Sequence, residues 1–376
     1  MVKIGVLTSS RADFGVYLPL LKAFVKDSEI SFEIIAFGTH LSNLHGYTIN
    51  EIRESGFIVK FEISSMLADD SELAVSTSGA LTSLKFSDFW DKYKDEFDLV
   101  LCLGDRFEMF SAVIAGIPFG IKFAHFYGGD YSQGAIDNVY RNGMTHSSIL
   151  HFTSTTKCAN RVRAMINSKE NVYDVGILSL SGLNKVKFLS KNDFYTKWHI
   201  DLNIPTILIT FHPETIDSHS NEIYSQVVYD VLLELKKTYQ LVITMPNADT
   251  NGITYRRKYE LFTKEDSKNV FLIENFGIES YMTCMKYSLL MIGNTSSGIT
   301  ESASFNKYFV NVGKRQKGRE MGNNIINSDF EKSMLIQSIN LALSLGEFNE
   351  DNIYFKKDAI DGVLSTIKFL LENKRI

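Results

Sequence analysis

The chain has 376 residues, 44% of them hydrophobic, and single cores stop growing at ~250–300 residues, so two domains are expected. A net charge of −5 without a long Lys or Arg run argues against nucleic acid as the main partner. No apolar run reaches the ~20 residues of a membrane-spanning helix.

"KIGVLT" (3–8) reads as a core strand at once, without the apolar core and cleavage site of a signal peptide. A cytoplasmic location is therefore expected. The turn "TSSRADFG" follows, and Arg11 stands where it leads into a helix, a position suited to an anion. A solvated Arg behind an N-cap Ser is the plainer alternative. Strands "FEIIAFG" (32–38), "DLVLCLG" (98–104), "GIKFAHF" (120–126) and "ILHFTS" (149–154) come next, with amphipathic stretches at 16–26, 72–94, 106–116 and 155–166. The apolar runs are nearly continuous, which marks strands buried on both faces of a parallel sheet. Strand and helix in alternation predict an α/β, doubly wound Rossmann-like domain.

The pattern breaks at 176–204 and restarts with "TILITFH" (206–212), "LVITMP" (241–246), "VFLIE" (270–274), "SLLMIG" (288–293) and "YFVNVG" (308–313). That is a second domain of the same kind. The tail places Ile360, Val363, Leu364, Ile367, Leu370 and Leu371 on one helical face that must pack on something. The expected division is 1–180 with 355–376, and 181–354. A ligand is expected in the cleft between the two domains, beyond the carboxyl ends of the strands. Cys102, Cys158 and Cys284 fit no zinc or redox spacing and read as reduced, buried thiols.

Strand ends carry the candidate chemistry. Asp105 directly follows Gly104, as a functional acid or as the N-cap of the helix 106–116. In "HFYGGDYSQGAIDNVYR" (125–141), Gly128 and Gly129 allow a tight turn that exposes Asp130. Asp137 and Arg141 are i and i+4 on one helix, so the spacing predicts that they pair. Three acids at two neighbouring strand ends form a cluster able to supply a base and an acid. The second domain offers His212 in "TFHPET" and backbone amides at Ser296, Ser297 and Gly298 in "GNTSSGITES", a phosphate cradle without the Walker Gly-Lys. Glu301 lies one turn further, in reach of a ribose diol. Lys314, Arg315, Lys317 and Arg319 add positive charge near the same end. Acids in the first domain and cations in the second suit a nucleotide diphosphate held by one and a sugar worked on by the other.

"TSSRADFG", "GTHLSNLHGYT", "LGDRFE", "GAIDNVYR", "FHPET", "GNTSSGITE" and "NVGKRQKGRE" occur in this order. In this, over nearly its whole length, the chain resembles the hydrolysing UDP-N-acetylglucosamine 2-epimerases of sialic and legionaminic acid biosynthesis. The resemblance implies a glycosyltransferase-B-type fold whose terminal helix crosses back to the first domain. It implies chemistry without metal or cofactor: proton loss at sugar C2 as UDP leaves C1, giving 2-acetamidoglucal, then addition of water to give N-acetylmannosamine. It implies a nucleotide-sugar substrate, no membrane or nucleic-acid partner, and a homodimer or homotetramer. Asp105, Asp130, Asp137 and Arg141 become the catalytic set. Arg11, His40, Asn247, His212, Ser296, Ser297, Gly298, Glu301, Arg315 and Arg319 become the nucleotide-binding set. Asp130 stands where family members usually carry Glu, and Tyr127 precedes the two glycines. The same reaction on UDP- or GDP-N,N'-diacetylbacillosamine, a glycosyltransferase of the same fold, and an inactive nucleotide-sugar sensor are the alternatives.

Overall fold

A computed structural model of the chain describes residues 1–69, 71–132, 136–183, 187–214, 218–245, 252–265, 269–373 and 375. The chain divides into two compact units. The first comprises Met1–Asp130, Asp137–Leu183 and Tyr354–Ile376; the second comprises Tyr131–Ile136 and Asn184–Ile353.

In the first unit, β1 (Val2–Thr8), β2 (Ile30–Phe37), β3 (Val59–Ile63), β4 (Leu99–Leu103), β5 (Phe123–Phe126), β6 (Leu150–Thr153) and β7 (Val172–Asp174) form one parallel sheet. Its strand order is β3-β2-β1-β4-β5-β6-β7. Around it run α1 (Arg11–Phe24), α2 (Ile49–Glu54), α3 (Glu72–Tyr93), α4 (Phe107–Gly116), α5 (Asp137–Ser147), α6 (Thr156–Ile166) and α7 (Leu178–Ser181). The central strands β4, β5 and β6 are buried at every residue, as their unbroken apolar runs require. Helix α1 starts at Arg11 because Ser10 and Asp13 form a capping box.

The second unit holds β8 (Thr206–Thr210), β9 (Gln240–Thr244), β10 (Val270–Ile273), β11 (Leu290–Gly293), β12 (Phe309–Val312) and β13 (Ile325–Ser328), all parallel, in the order β10-β9-β8-β11-β12-β13. Its helices are α8 (Lys191–Trp198), α9 (Asn221–Leu235), α10 (Gly252–Glu265), α11 (Gly277–Tyr287), α12 (Ser296–Thr300) and α13 (Lys332–Leu345).

The last helix, α14 (Ala359–Glu372), belongs to the first unit. Its Ala359, Val363, Ile367 and Leu370 share one core with Tyr17, Leu20, Leu21 and Phe24 of α1. Lys368 Nζ clamps the join, 2.6 Å from both Asp27 and Glu29. Ile360, Leu364 and Leu371 pack against the rim of that core, so the expected face is the one used. The three thiols are free and buried. Among the described residues no helix is long and apolar enough to cross a membrane.

Strand order reverses between β1 and β4 in one sheet and between β8 and β11 in the other. Open α/β sheets take ligands beyond the strand ends at such switch points. The second switch point is unusually close-packed. A Cβ on Gly293, whose φ is +152°, would lie 1.8 Å from the Thr210 carbonyl oxygen of the neighbouring strand. Gly293→Ala is therefore expected to cost ~3 kcal/mol or more through strain and crowding, read as a lowered melting temperature. An unchanged melting curve would contradict that packing.

Candidate active site

The Gly-Gly-Asp turn is built by contacts with α5 and α6. Tyr127 and Gly129 both have left-handed backbones, with φ of 68° and 78°. A Cβ on Gly129 would lie 2.2 Å from the Cys158 carbonyl oxygen, and one on Gly128 would lie 2.8 Å from Thr145 Oγ1. Only glycine fits either place. The Tyr127 hydroxyl accepts the Leu178 N–H at 2.9 Å, which fixes the start of the turn. Arg161 donates to the Gly129 carbonyl at 3.2 Å. Asp130 follows the end of β5 but is buried, 7% exposed, which corrects the exposed position expected of it: the turn packs against α5 and α6.

Arg141 is the hub of this site. Its side chain is buried, and it donates to the Asp130 carbonyl at 3.0 Å and to Asn138 Oδ1 at 2.7 Å. Its other terminal nitrogen pairs with Asp105 Oδ2. This corrects the expected pairing of Arg141 with Asp137. Among the described residues the carboxylate in its salt bridge is Asp105, because Arg141 points inward to the strand ends while Asp137 opens the helix. Asp105 is likewise not the N-cap of α4, a position taken by Arg106. One guanidinium thus ties the end of β4 to the loop after β5, and Asp137 stands half-buried one turn before it.

Tyr140 was missed by the sequence reading. Its ring packs 5.7 Å from that of Phe110. Burial, then Asp137, then Glu108 push its phenol up, so it stays protonated beside the acids. No spacing rule singles out a Tyr on a helix that already holds Asp137 and Arg141.

At the β1/β4 switch point, Asp13 Oδ2 accepts from the Ser9 N–H at 2.9 Å, the Ser9 hydroxyl at 2.7 Å and the Ser10 N–H at 3.1 Å. Burial lifts this carboxyl above its usual range, with Arg106 pulling it back. Arg11 occupies the first turn of α1 beside it. His40, expected to bind nucleotide, is fully enclosed. Its ring nitrogens lie 2.9 Å from the hydroxyls of Thr8 and Thr48, so it pins β1 to the segment before α2. The resemblance alone assigns His40 to the nucleotide; the ring turns inward from the short turn Gly38–Leu41.

Burial pushes the His40 and His125 rings down to about 4 and His151 to about 3. In the unfolded chain they titrate near ~6.5. Between these values the unfolded state binds more protons, so the stability these rings contribute is present above ~6.5 and lost as pH falls. Stability is expected to drop between pH ~6.5 and ~5 by up to ~1.4 kcal/mol per pH unit for each ring. Denaturant titrations across that range check this, and a flat profile would contradict it.

In the second unit, Asn294 bridges the β8/β11 switch point. Its Oδ1 accepts the His212 N–H at 2.7 Å and its Nδ2 donates to the His212 carbonyl at 2.8 Å. Asn294 was not singled out from the sequence, although "GNTSS" contains it. Glu214, also missed, accepts the N–H groups of Lys314 and Arg315 at 2.8 and 2.9 Å. Arg315 donates to the Pro213 carbonyl at 2.8 Å. "FHPET" and "GKRQ" are therefore held together. Ser297 of α12 donates to Glu301, which caps that helix, and Tyr281 adjoins Ser297, Thr210 and Glu301. Ser296 opens α12, and a Cβ on Gly298 would lie 2.4 Å from the Phe309 ring, so that glycine serves packing as well. Arg319, with Lys314 and Lys317, lines a cavity of about 500 Å³ at the ends of β12 and β13. Asn247 lies outside the described residues. Among the described residues no group of three or more His, Cys, Asp and Glu side chains is placed to hold a metal.

The sequence profile of the UDP-N-acetylglucosamine 2-epimerase family matches residues 22–368. The hydrolysing GDP/UDP-N,N'-diacetylbacillosamine 2-epimerase of Campylobacter jejuni is 33% identical over 327 residues, 87% of this chain and 84% of that one. Polysialic acid biosynthesis protein P7 of Escherichia coli is 31% identical over 381 residues, covering 100% of this chain and 95% of that one. The crystal structure of UDP-GlcNAc 2-epimerase from Neisseria meningitidis bound to UDP-GlcNAc shares the fold, with a TM-score of 0.80 at 16% identity over 97% of this chain and 99% of that one. Two parallel α/β sheets of glycosyltransferase-B type agree with these matches, and the chain belongs to the UDP-N-acetylglucosamine 2-epimerase family of hydrolysing nucleotide-sugar 2-epimerases.

Proposed function

We propose that this enzyme converts UDP-N-acetylglucosamine and water to N-acetylmannosamine and UDP. The observation that carries the reading is the Asp105–Arg141–Asp130 junction with Asp137 one helical turn away. It holds the Asp105 carboxylate to the Asp130 backbone, where open α/β sheets take ligands. One carboxylate removes the C2 proton while the C1–O bond to the diphosphate breaks, its electron pair leaving with UDP. The C1=C2 bond of 2-acetamidoglucal results. Water then adds at C1, and a protonated carboxylate returns a proton to C2 on the other face. Asp130 and Asp137 are the acid–base pair, and Arg141 holds the junction that frames them. Arg11, His212, Ser296 and Ser297 hold the diphosphate, with Glu301 on the ribose; Arg315 and Arg319 add positive charge, and no metal is required. The working assembly is a homodimer or homotetramer in the cytoplasm.

A second reading is the same reaction on a UDP- or GDP-N,N'-diacetylbacillosamine. It is supported by the 33% identity to the Campylobacter jejuni enzyme of that name, against 26% to the UDP-N-acetylglucosamine 2-epimerase of Neisseria meningitidis. Incubation with each nucleotide sugar, followed by NMR, separates the readings. Free N-acetylmannosamine and UDP without any acceptor support the first. Product from the diacetylated substrate alone supports the second. No free sugar from either overturns both.

His212→Ala is expected to weaken UDP binding several-fold, since a charge-assisted contact contributes ~1.5–3 kcal/mol. Calorimetry with UDP reads it, and unchanged affinity would remove His212 from the diphosphate site.

A further inference from the structure

Glu108 sits in the first turn of α4, three residues after Asp105, with its side chain fully buried. Its Oε1 accepts from Arg106 Nε at 2.5 Å, and the Arg106 side chain remains 21% exposed. Its Oε2 is enclosed and, among the described residues, has no hydrogen-bond donor. A buried carboxylate with an unmatched oxygen is costly, and such a group calls for a reason. Bracing the fold is not a sufficient one. Glutamine keeps one oxygen for Nε and drops the buried charge, so a structural role would be filled more cheaply by Gln.

The surroundings are moulded to this side chain. Gly38 has φ +60°, and a Cβ there would lie 3.0 Å from Glu108 Cγ and 2.8 Å from the Ser9 carbonyl oxygen. The neighbouring acid, Asp13, already accepts from Ser9 and Ser10. The place is the β1/β4 switch point, where this sheet takes a ligand. Consecutive residues diverge there: Asp105 turns to Arg141 and Arg106 turns to Glu108. A grip on Nε sets the plane of a guanidinium, and with it the plane in which both terminal nitrogens lie. A planar fork so held matches phosphate or sugar oxygens.

We propose that Glu108 is a positioning residue that presents Arg106 to the oxygen-rich substrate at the β1/β4 switch point. The proposal rests on the epimerase reading above. It gives Arg106 a substrate contact and Glu108 a role exercised only through Arg106.

Four proteins test it: wild type, Glu108→Gln, Arg106→Ala and the double variant. Each is assayed for melting temperature, for kcat and KM on whichever nucleotide sugar the wild type cleaves, and for calorimetric affinity for UDP-N-acetylglucosamine. Glu108→Gln is expected to melt like wild type and to lose kcat/KM by roughly 10- to 100-fold, the scale of a misplaced substrate contact. In the Arg106→Ala background the same change is expected to add nothing, since coupled residues are non-additive. Unchanged kcat/KM in Glu108→Gln overturns the proposal, as does an equal loss with and without Arg106. Should Glu108→Gln melt far below wild type, Arg106→Lys decides: it keeps the charge and loses the fork, and wild-type kcat/KM in it overturns the proposal. If the wild type cleaves neither nucleotide sugar, the epimerase reading falls by itself. The affinity comparison then rules on Glu108: a tenfold or greater loss in Glu108→Gln supports positioning, and equal or absent binding in both proteins overturns it.

Discussion

Asp137→Asn is expected to leave the enzyme folded and able to bind UDP while its turnover falls by ~100- to 10,000-fold, the usual consequence of removing a general acid or base. The substitution keeps the shape of the side chain and removes only its charge. Asp137 is the first residue of α5, where the helix dipole favours a negative charge and the backbone N–H groups still lack helical partners. Arg141 is engaged elsewhere, with Asp105, Asn138 and the Asp130 carbonyl. The neutral amide therefore strands no buried cation, and the melting temperature is expected to stay close to wild type. If Asp137 acts in hydration and not in elimination, the variant releases 2-acetamidoglucal, which NMR detects. Turnover near wild type would sink the assignment of Asp137 to the chemistry.

Arg141→Met gives the opposite pattern. The guanidinium is 1% exposed and Asp105 is only 28% exposed. Removing one partner of such a pair leaves the other charge uncompensated, which costs ~3–5 kcal/mol. The Asp130 carbonyl and Asn138 lose donors as well. Both melting temperature and turnover are expected to fall. Arg141→Lys recovers little of either, since an ammonium is a point charge and cannot replace a planar fork spread over three acceptors. Thermal melts and turnover on the same preparations separate this residue from Asp137. An Arg141→Met protein as stable as wild type would mean that the junction does not hold the two strand ends.

The ten strands expected from continuous apolar runs are all present, because parallel strands buried on both faces have no polar side to blur the signal. Three others were silent. β3 alternates exposed and half-buried residues at a sheet edge, β7 spans three residues, and β13 is "IINS", half polar. Residue types at the strand ends were legible; their partners were not. Helical spacing pointed Arg141 to Asp137, whereas the partner lies 36 residues back, just beyond the end of β4. His40 came only with the family resemblance, and a sequence does not show which way a ring turns. Glu108 and Asn294 were hidden for a related reason. An acid at a helix start and an Asn at a strand end are common, and only the unmatched oxygen of one and the two-sided grip of the other set them apart.

The return of α14 to the first unit bears on how the chain is made. Tyr17 and Leu20 are translated long before Val363, Ile367 and Leu370, which share their core. Domains generally fold as units, the N-terminal one first during synthesis. Here that order is inverted for the last step. The second unit has all its strands before α14 is made, while the face of α1 that receives α14 waits for residues 359–372. A nascent chain stalled before residue 359 would therefore expose apolar surface on its first unit, where a chaperone or protease can take hold. A disruptive substitution in α14 would harm the unit whose strands are made before those of the other.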